Sequence, residues 1–264
     1  ALKSIKNQGK TIGFVPTMGA LHCGHLKLVE FARKECDVTV VSIFVNPTQF
    51  NNSDDLVKYP KREEEDLKML QAANCDIVII PTVEDIYPKN YQKNTIDLDR
   101  IDKVMEGTFR PGHFVGVVNV VSRFFEIIQP NKAYFGNKDF QQVAVIKKMV
   151  KDLKMSVDVV GVPTKRLSNG LAMSSRNYRL NSDQLEASSI IYKTLIKGRE
   201  WAKSYSPAIT RAKMIEYFNT GDLELEYLEI VHPETMADLN QYWVPGSIAG
   251  IAAFSGGVRL IDNM

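Results

Sequence analysis

Two histidines stand three apart in "VPTMGALHCGH" (15–25), with Gly24 just before the second, in a chain that has only four histidines. A β-rich run, "TIGFV" (11–15), leads in, and a helical pattern over 24–35 leads out. That order puts His22 just before a helix and His25 in its first turn. Free backbone N–H groups and the helix dipole favour an anion there. Imidazoles at this end can donate hydrogen bonds to phosphate oxygens and stabilise charge that grows on a triphosphate during displacement. The competing reading is a pair of capping or packing histidines. A zinc pair is disfavoured, because no third ligand follows at metal spacing.

Three further segments offer complementary groups. "FGNKD" (135–139) places Gly136, Lys138 and Asp139 where a strand opens into a helix: Lys138 can neutralise a phosphate, and Asp139 can cap the helix or accept a ribose hydroxyl. "AMSSRN" (172–177) supplies two hydroxyls and a guanidinium suited to outer phosphates, with Gly170 before it as a hinge. "FVNPTQF" (44–50) supplies Asn46 and Gln49, neutral amides that orient a polar substrate without adding charge. "FRPGHF" (109–114) adds Arg110 and His113; an arginine there can hold a carboxylate or position a neighbouring loop. Each segment also reads as an ordinary polar turn. None contains an evident nucleophile or redox group, so the chemistry they favour is positioning and charge stabilisation. "GKT" (9–11) is not a P-loop, because Ser4 stands where the pattern needs glycine and the lysine precedes the strand. No GxGxxG follows the first strand, so a dinucleotide cofactor has no support.

These segments need elements that bring them to one place. Strand candidates fall at 11–15, 38–45, 76–81, 132–136 and 157–163, alternating with helical stretches at 24–35, 61–73, 115–129 and 139–153. Nearly continuous apolar strands between helices predict a parallel sheet covered on both faces, in a doubly wound, Rossmann-like α/β domain over 1–164. Ligands of such a sheet bind at the carboxyl ends of its strands, where these polar segments begin. Beyond residue 165 the order changes: helices at 182–203 and 207–219, then strands at 225–231, 247–255 and 258–262. That predicts a smaller α+β lid domain over 165–264. The polar stretch 46–60 is long enough for a functional lid.

Composition narrows the class. The hydrophobic fraction of 44% and charged fraction of 24% are those of an ordinary globular protein. A net charge of +2 argues against a large nucleic-acid or membrane-surface footprint. No run of 18 apolar residues occurs and the first residues lack an apolar signal core, so a cytoplasmic location is expected. Cys23, Cys36 and Cys75 lack CxxC spacing and read as reduced thiols.

Taken together, "VPTMGALHCGH", "VSIFVNPTQF", "RPGHF", "YFGNKDFQQ", "GLAMSSRN" and the closing "RLIDN" resemble the pantoate–β-alanine ligase family, in family order and over essentially the whole chain. The HxGH element alone marks only the wider nucleotidyltransferase superfamily. The resemblance implies ATP-dependent joining of (R)-pantoate and β-alanine through a pantoyl adenylate, with Mg²⁺ on the triphosphate and a homodimer as the assembly. It implies that Met18, Gly19, Ala20, Leu21, His22, Cys23, Gly24 and His25 line the ATP site, with His25 the acid catalyst. Gly136, Asn137, Lys138 and Asp139 would hold ribose and phosphate. Lys165 would lie beside the adenine, and Met173, Ser174, Ser175 and Arg176 would close over the triphosphate. Gln49 and Gln142 would bind pantoate, with Asn46 nearby and Gln49 also admitting β-alanine. His22, His25, Lys138 and Arg176 form the implied catalytic set. Cys23, Asn137 and Lys165 depart from residues common in the family. The alternatives are a related nucleotidyltransferase with another acceptor, which the two glutamines disfavour, and a nucleotide-binding module without turnover.

Overall fold

A computed structural model describes residues 2–50, 56–57 and 59–264. Part of the expected 46–60 lid, at 51–55 and 58, therefore lies outside the described residues. The strands are β1 (Ile12–Thr17), β2 (Val38–Ile43), β3 (Ile77–Ile79), β4 (Lys132–Gly136), β5 (Asp158–Val162), β6 (Glu224–Val231), β7 (Ile248–Ser255) and β8 (Val258–Asn263). The helices of the first part are α1 (Leu2–Asn7), α2 (Cys23–Glu35), α3 (Glu63–Ala72), α4 (Val83–Ile86), α5 (Glu106–Phe109), α6 (His113–Ile128) and α7 (Phe140–Asp152). Later come α8 (Ser182–Ala187), α9 (Ser189–Trp201) and α10 (Pro207–Phe218).

The first five strands form one sheet in the order β3-β2-β1-β4-β5, and every pairing is parallel. Phe14 of β1 stands opposite Val40 on one side and Ala133 on the other. Because β1 and β2 are buried on both faces, they read as continuous apolar runs rather than alternating ones. One face packs Ile12 and Phe14 against Val117, Phe124 and Ile146 of α6 and α7. The other packs Val15, Val41 and Tyr134 against Leu28, Val29 and Leu70 of α2 and α3. The chain winds to one side of β1 through β2 and β3, then returns to the other through β4 and β5. That reversal opens a crevice between the carboxyl ends of β1 and β4, where doubly wound sheets take ligands.

Strands β6, β7 and β8 form a separate antiparallel sheet, with Leu228 opposite Ile251 and Ala253 opposite Leu260. Its helices α9 and α10 bury Ile191, Leu195 and Phe218 against it. Its other face joins the first core through Tyr227, Val231 and Ala252.

The expected helix over 182–203 is two helices. The Ser188 hydroxyl donates to the Gln184 carbonyl at 2.6 Å, and a bond of that kind competes with the helical ladder where the chain bends. Helix α1 buries no residue, which is why apolar periodicity gave no sign of it. The stretch 83–109 holds only the single-turn helices α4 and α5.

Candidate active site

A cavity of about 260 Å³ opens on the carboxyl rim of the parallel sheet, between that rim and the antiparallel sheet. Met18, His22, Gly24 and His25 line it from the β1–α2 turn, and Asn46 and Gln49 from the end of β2. Gly136, Lys138, Asp139 and Gln142 line it from the end of β4. Lys165, Met173, Ser174, Ser175 and Arg176 line it from the segment after β5. Four turns distant in sequence thus meet at one space. Gly19, Ala20, Leu21, Cys23 and Asn137 do not line it.

The β1–α2 turn is built by its backbone. Gly19 and Ala20 both take positive φ, 78° and 49°. The buried Asp66 carboxylate of α3 accepts the Ala20 and Leu21 N–H groups at 2.8 and 2.7 Å. The turn is therefore clamped from below, and Ala20 and Leu21 face the core rather than the cavity. His22 caps α2: its Nδ1 accepts the Gly24 N–H at 3.0 Å, while His25 Nδ1 accepts the His22 N–H at 3.3 Å. A Cβ on Gly24 would stand 2.7 Å from the His22 ring, so the capping imidazole occupies the space where any larger side chain would begin. With both Nδ1 atoms accepting, each neutral ring carries its proton on Nε2 and presents it as a donor. The ring centroids lie 4.1 Å apart. Burial, with the Lys138 charge, pulls His22 down to about 4. Burial, then His22 and Lys138, holds His25 well below the usual imidazole range. One nitrogen of each ring thus holds the helix start, which leaves the other as a donor in a residue that lines the cavity.

Lys138 lies in the short turn after β4, 3.0 Å from the Asp139 carboxylate. The turn is gripped from the far end of the chain: Asn263 Nδ2 donates to the Asn137 and Lys138 carbonyls at 2.9 and 2.8 Å. The Asn137 side chain turns away onto Gly161, whose added Cβ would meet Asn137 Oδ1 at 2.2 Å.

Of the expected hydroxyls, Ser175 donates to the Ala20 carbonyl at 3.0 Å and so ties this segment to the histidine turn. Ser174 Oγ accepts the Arg176 N–H at 3.2 Å, which leaves its proton for a ligand. Gly170, read as a hinge, is a tight turn at φ 90° whose added Cβ would stand 2.0 Å from the Tyr192 ring. The backbone there is wedged by packing. Met173 N–H donates to the Lys165 carbonyl at 2.9 Å.

Asn46 is 1% exposed, and its amide is consumed internally. Nδ2 donates to the Gly116 carbonyl and to Gln49 Oε1, and Oδ1 accepts from Thr48 and Tyr87. Gln49 Nε2 points at Met18 Sδ, 2.8 Å away.

Sequence reasoning missed a buried polar junction on the cavity's floor. Glu106 accepts from Arg259 at 2.6 and 2.9 Å and from the Tyr227 hydroxyl at 3.0 Å, with Arg110 at 3.5 Å. Burial alone would push its carboxyl up, but the Arg259 hydrogen bonds and charge, with Arg110 and Tyr227, hold it at about 2. Gln141, not its neighbour Gln142, is the fully committed glutamine. Gln141 donates to the Ile101 and Val104 carbonyls at 2.6 and 2.8 Å and accepts the Glu106 N–H at 3.1 Å. It thereby holds Met105 in a conformation, φ 44° and ψ −120°, that a side chain rarely adopts. The only sequence signal was the doubled glutamine in "FQQ", which does not say which one turns inward.

Among the described residues no cluster of three His, Cys, Asp or Glu side chains could hold a metal ion. The lining presents neutral donors, cations and amides to one space. It can align an anionic phosphate chain beside a small polar acceptor.

Over residues 1–264 the chain matches the family model described as pantoate-beta-alanine ligase. A pantothenate synthetase of Fervidobacterium nodosum is 45% identical over 99% of this chain and 94% of its own length. The crystal structure of pantothenate synthetase from Thermus thermophilus is similar at a TM-score of 0.93 and 41% identity, covering 100% of this chain and 97% of that one. The pantoate-beta-alanine ligase of Francisella tularensis, complexed with beta-gamma ATP and beta-alanine, is similar at 0.82 and 37% identity, covering 100% and 94%.

Proposed function

The chain belongs to the pantoate–β-alanine ligase family and joins pantoate to β-alanine as pantothenate; we propose that its rim cavity does so through a pantoyl adenylate. The pantoate carboxylate attacks the α-phosphorus of ATP, and pyrophosphate leaves. The amine of β-alanine then attacks the activated carbonyl, and AMP leaves. The single observation that carries this reading is the meeting of His22, His25, Lys138 and Arg176 with Gln49 and Gln142 around one cavity.

Each residue's part follows from its chemistry. The Nε2–H groups of His22 and His25 donate to phosphate oxygens as charge moves onto them, and the site is already oriented before substrate arrives. Lys138 and Arg176 neutralise the phosphate chain. Gln49 and Gln142 take pantoate through amide hydrogen bonds, and Asn46 acts by holding Gln49. Met18, Gly136, Asp139, Lys165, Met173, Ser174 and Ser175 shape the ATP side of the cavity. Gly19, Ala20, Leu21, Cys23 and Asn137 support that side through the turn backbones. Mg²⁺ fits this reading as a companion of the triphosphate. Of the carboxylates lining the cavity, Glu106 is consumed by Arg259 and Arg110 and Asp262 by Arg166, which leaves Asp139, beside Lys138, as the half-exposed one on the ATP side. Residues 1–164 and 165–264 act as two units around one site, in a cytoplasmic homodimer whose mass light scattering would check.

The test is direct. The protein is incubated with ATP, Mg²⁺, pantoate and β-alanine, and AMP is followed. AMP that depends on pantoate supports the reading. Release of CMP from CTP favours the related nucleotidyltransferase, and no turnover with any nucleotide leaves a binding module.

A further inference from the structure

We infer that the first turn of α6 is a socket that sets the position of Gln49, with His113 as its positioning residue. The inference rests on the assignment of Gln49 to pantoate. Three independent contacts hold the backbone of that turn. His113 Nδ1 lies 2.8 Å from the Gln49 carbonyl oxygen, and His113 Nε2 lies 3.2 Å from Arg110 Nη1. A guanidinium only donates, so Nε2 must accept, and the ring proton sits on Nδ1 and is given to Gln49. Both nitrogens are then spent on protein atoms, which leaves His113 no group for substrate and makes its role one of placement. Gly116, one turn on, supplies the second contact: its added Cβ would stand 2.5 Å from the Thr48 carbonyl and 2.6 Å from Gln49 Cα. Only a glycine lets the helix lie this close. The third contact is the Asn46 amide, which donates to the Gly116 carbonyl at 3.1 Å.

The socket is itself anchored. Arg110 is paired with Glu106, and Glu106 is held by Arg259 of β8. A line of contacts therefore runs from the antiparallel sheet through Glu106, Arg110 and His113 to Gln49, whose side chain faces the cavity beside Met18. Burial, then the Arg110 charge, holds His113 at about 4, so this tautomer persists through neutral pH. The motif "RPGHFVG" thus reads as the seat of "NPTQF": the histidine and the second glycine face the amide turn, and the arginine fixes the histidine.

Steady-state kinetics of four variants of the whole chain test this. His113→Ala removes the hydrogen bond to the Gln49 carbonyl together with the one from Arg110, so the pantoate KM should rise about 5- to 10-fold while the ATP KM stays within about 2-fold. An asparagine amide reaches where Nδ1 stands, so His113→Asn should bring the pantoate KM back to within about 2-fold of the parent. Gly116→Ala should raise the pantoate KM at least as much as His113→Ala; where it fails to fold, the two His113 variants decide. Gln49→Ala separates the socket from the pantoate contact it serves. If it raises the pantoate KM and His113→Ala does not, the socket is overturned and the assignment of Gln49 stands. If Gln49→Ala leaves the pantoate KM unchanged, both fall. Equal effects of alanine and asparagine at 113, or an ATP KM rising in step, also overturn the inference.

Discussion

The carboxyl rim of the parallel sheet and the antiparallel sheet beside it serve one cavity in opposite ways. The rim supplies tips: the side chains of His22, His25, Lys138 and Gln49 belong to residues that line the space itself. The antiparallel sheet supplies grips: Asn263 holds two carbonyls of the Lys138 turn, and Arg259 and Tyr227 hold Glu106. The difference separates loss of chemistry from loss of placement. Replacing a tip should remove rate while the fold survives. Replacing a grip should cost stability first, and reach catalysis only through displaced backbone.

The largest effect expected on the grip side is at Glu106. Glu106→Gln leaves Arg110 buried without its carboxylate and Arg259 with Glu226 alone, and breaking a buried pair of this kind costs about 3–5 kcal/mol. Urea unfolding would measure it, and an unchanged midpoint would mean the junction does not hold the two sheets. On the tip side, His25→Ala should lower pantoate-dependent AMP formation by about 100- to 1000-fold, the usual cost of one preorganised donor. Its unfolding free energy should fall by only about 1 kcal/mol, for one lost cap bond. Near-parental turnover would remove His25 from the chemistry and blur the contrast.

Acid should sharpen the comparison through His113. Its pKa is about 4 in the folded protein and near 6.5 once unfolded, so the unfolded chain takes up the proton first. The stability this group contributes is complete above pH 6.5 and is lost as pH falls toward 4, amounting to at most about 3 kcal/mol. With His22 and His25 depressed in the same direction, thermal melts should drop between pH 6.5 and 4.5, and more shallowly in His113→Asn than in the parent. Glu106, depressed to about 2 from 4.5, adds its own loss only below pH 4.5. The smallest effect is expected at Asn263. Its alanine variant loses two hydrogen bonds to the Lys138 turn, and the ATP KM should rise by about 5- to 10-fold with pantoate KM unmoved.

The same division explains what the sequence revealed. The strands and the four rim segments were legible because apolar runs between helical patterns fix the sheet, and the site follows at its carboxyl ends. His22 and His25 were legible because their spacing around Gly24 is tied to a helix start. The grips were not. Arg259, Glu106 and Tyr227 lie 121 to 153 residues apart along their hydrogen-bonded pairs, and nothing in their neighbours marks a partner at that distance. Asp66, which clamps the Ala20 turn, sits in an acidic first turn, "EEED", where it looks like ordinary dipole compensation. Gln141 was hidden by its twin. The hydroxyls of Ser174 and Ser175 were read as phosphate ligands, and the fold spends that of Ser175 on a backbone carbonyl. Residue type showed what each group can do, whereas only the packing showed which of its atoms are left to do it.

In the proposed reaction the two imidazoles and Lys138 receive a phosphate chain, and Gln49 and Gln142 receive a hydroxy acid beside it. A crystal structure with a non-hydrolysable ATP analogue and pantoate tests it most directly. Phosphate oxygens are expected within hydrogen-bond distance of His22 Nε2, His25 Nε2 and Lys138 Nζ, with pantoate against both glutamine amides. Phosphates bound elsewhere, with the imidazole Nε2 atoms facing only water, would contradict it.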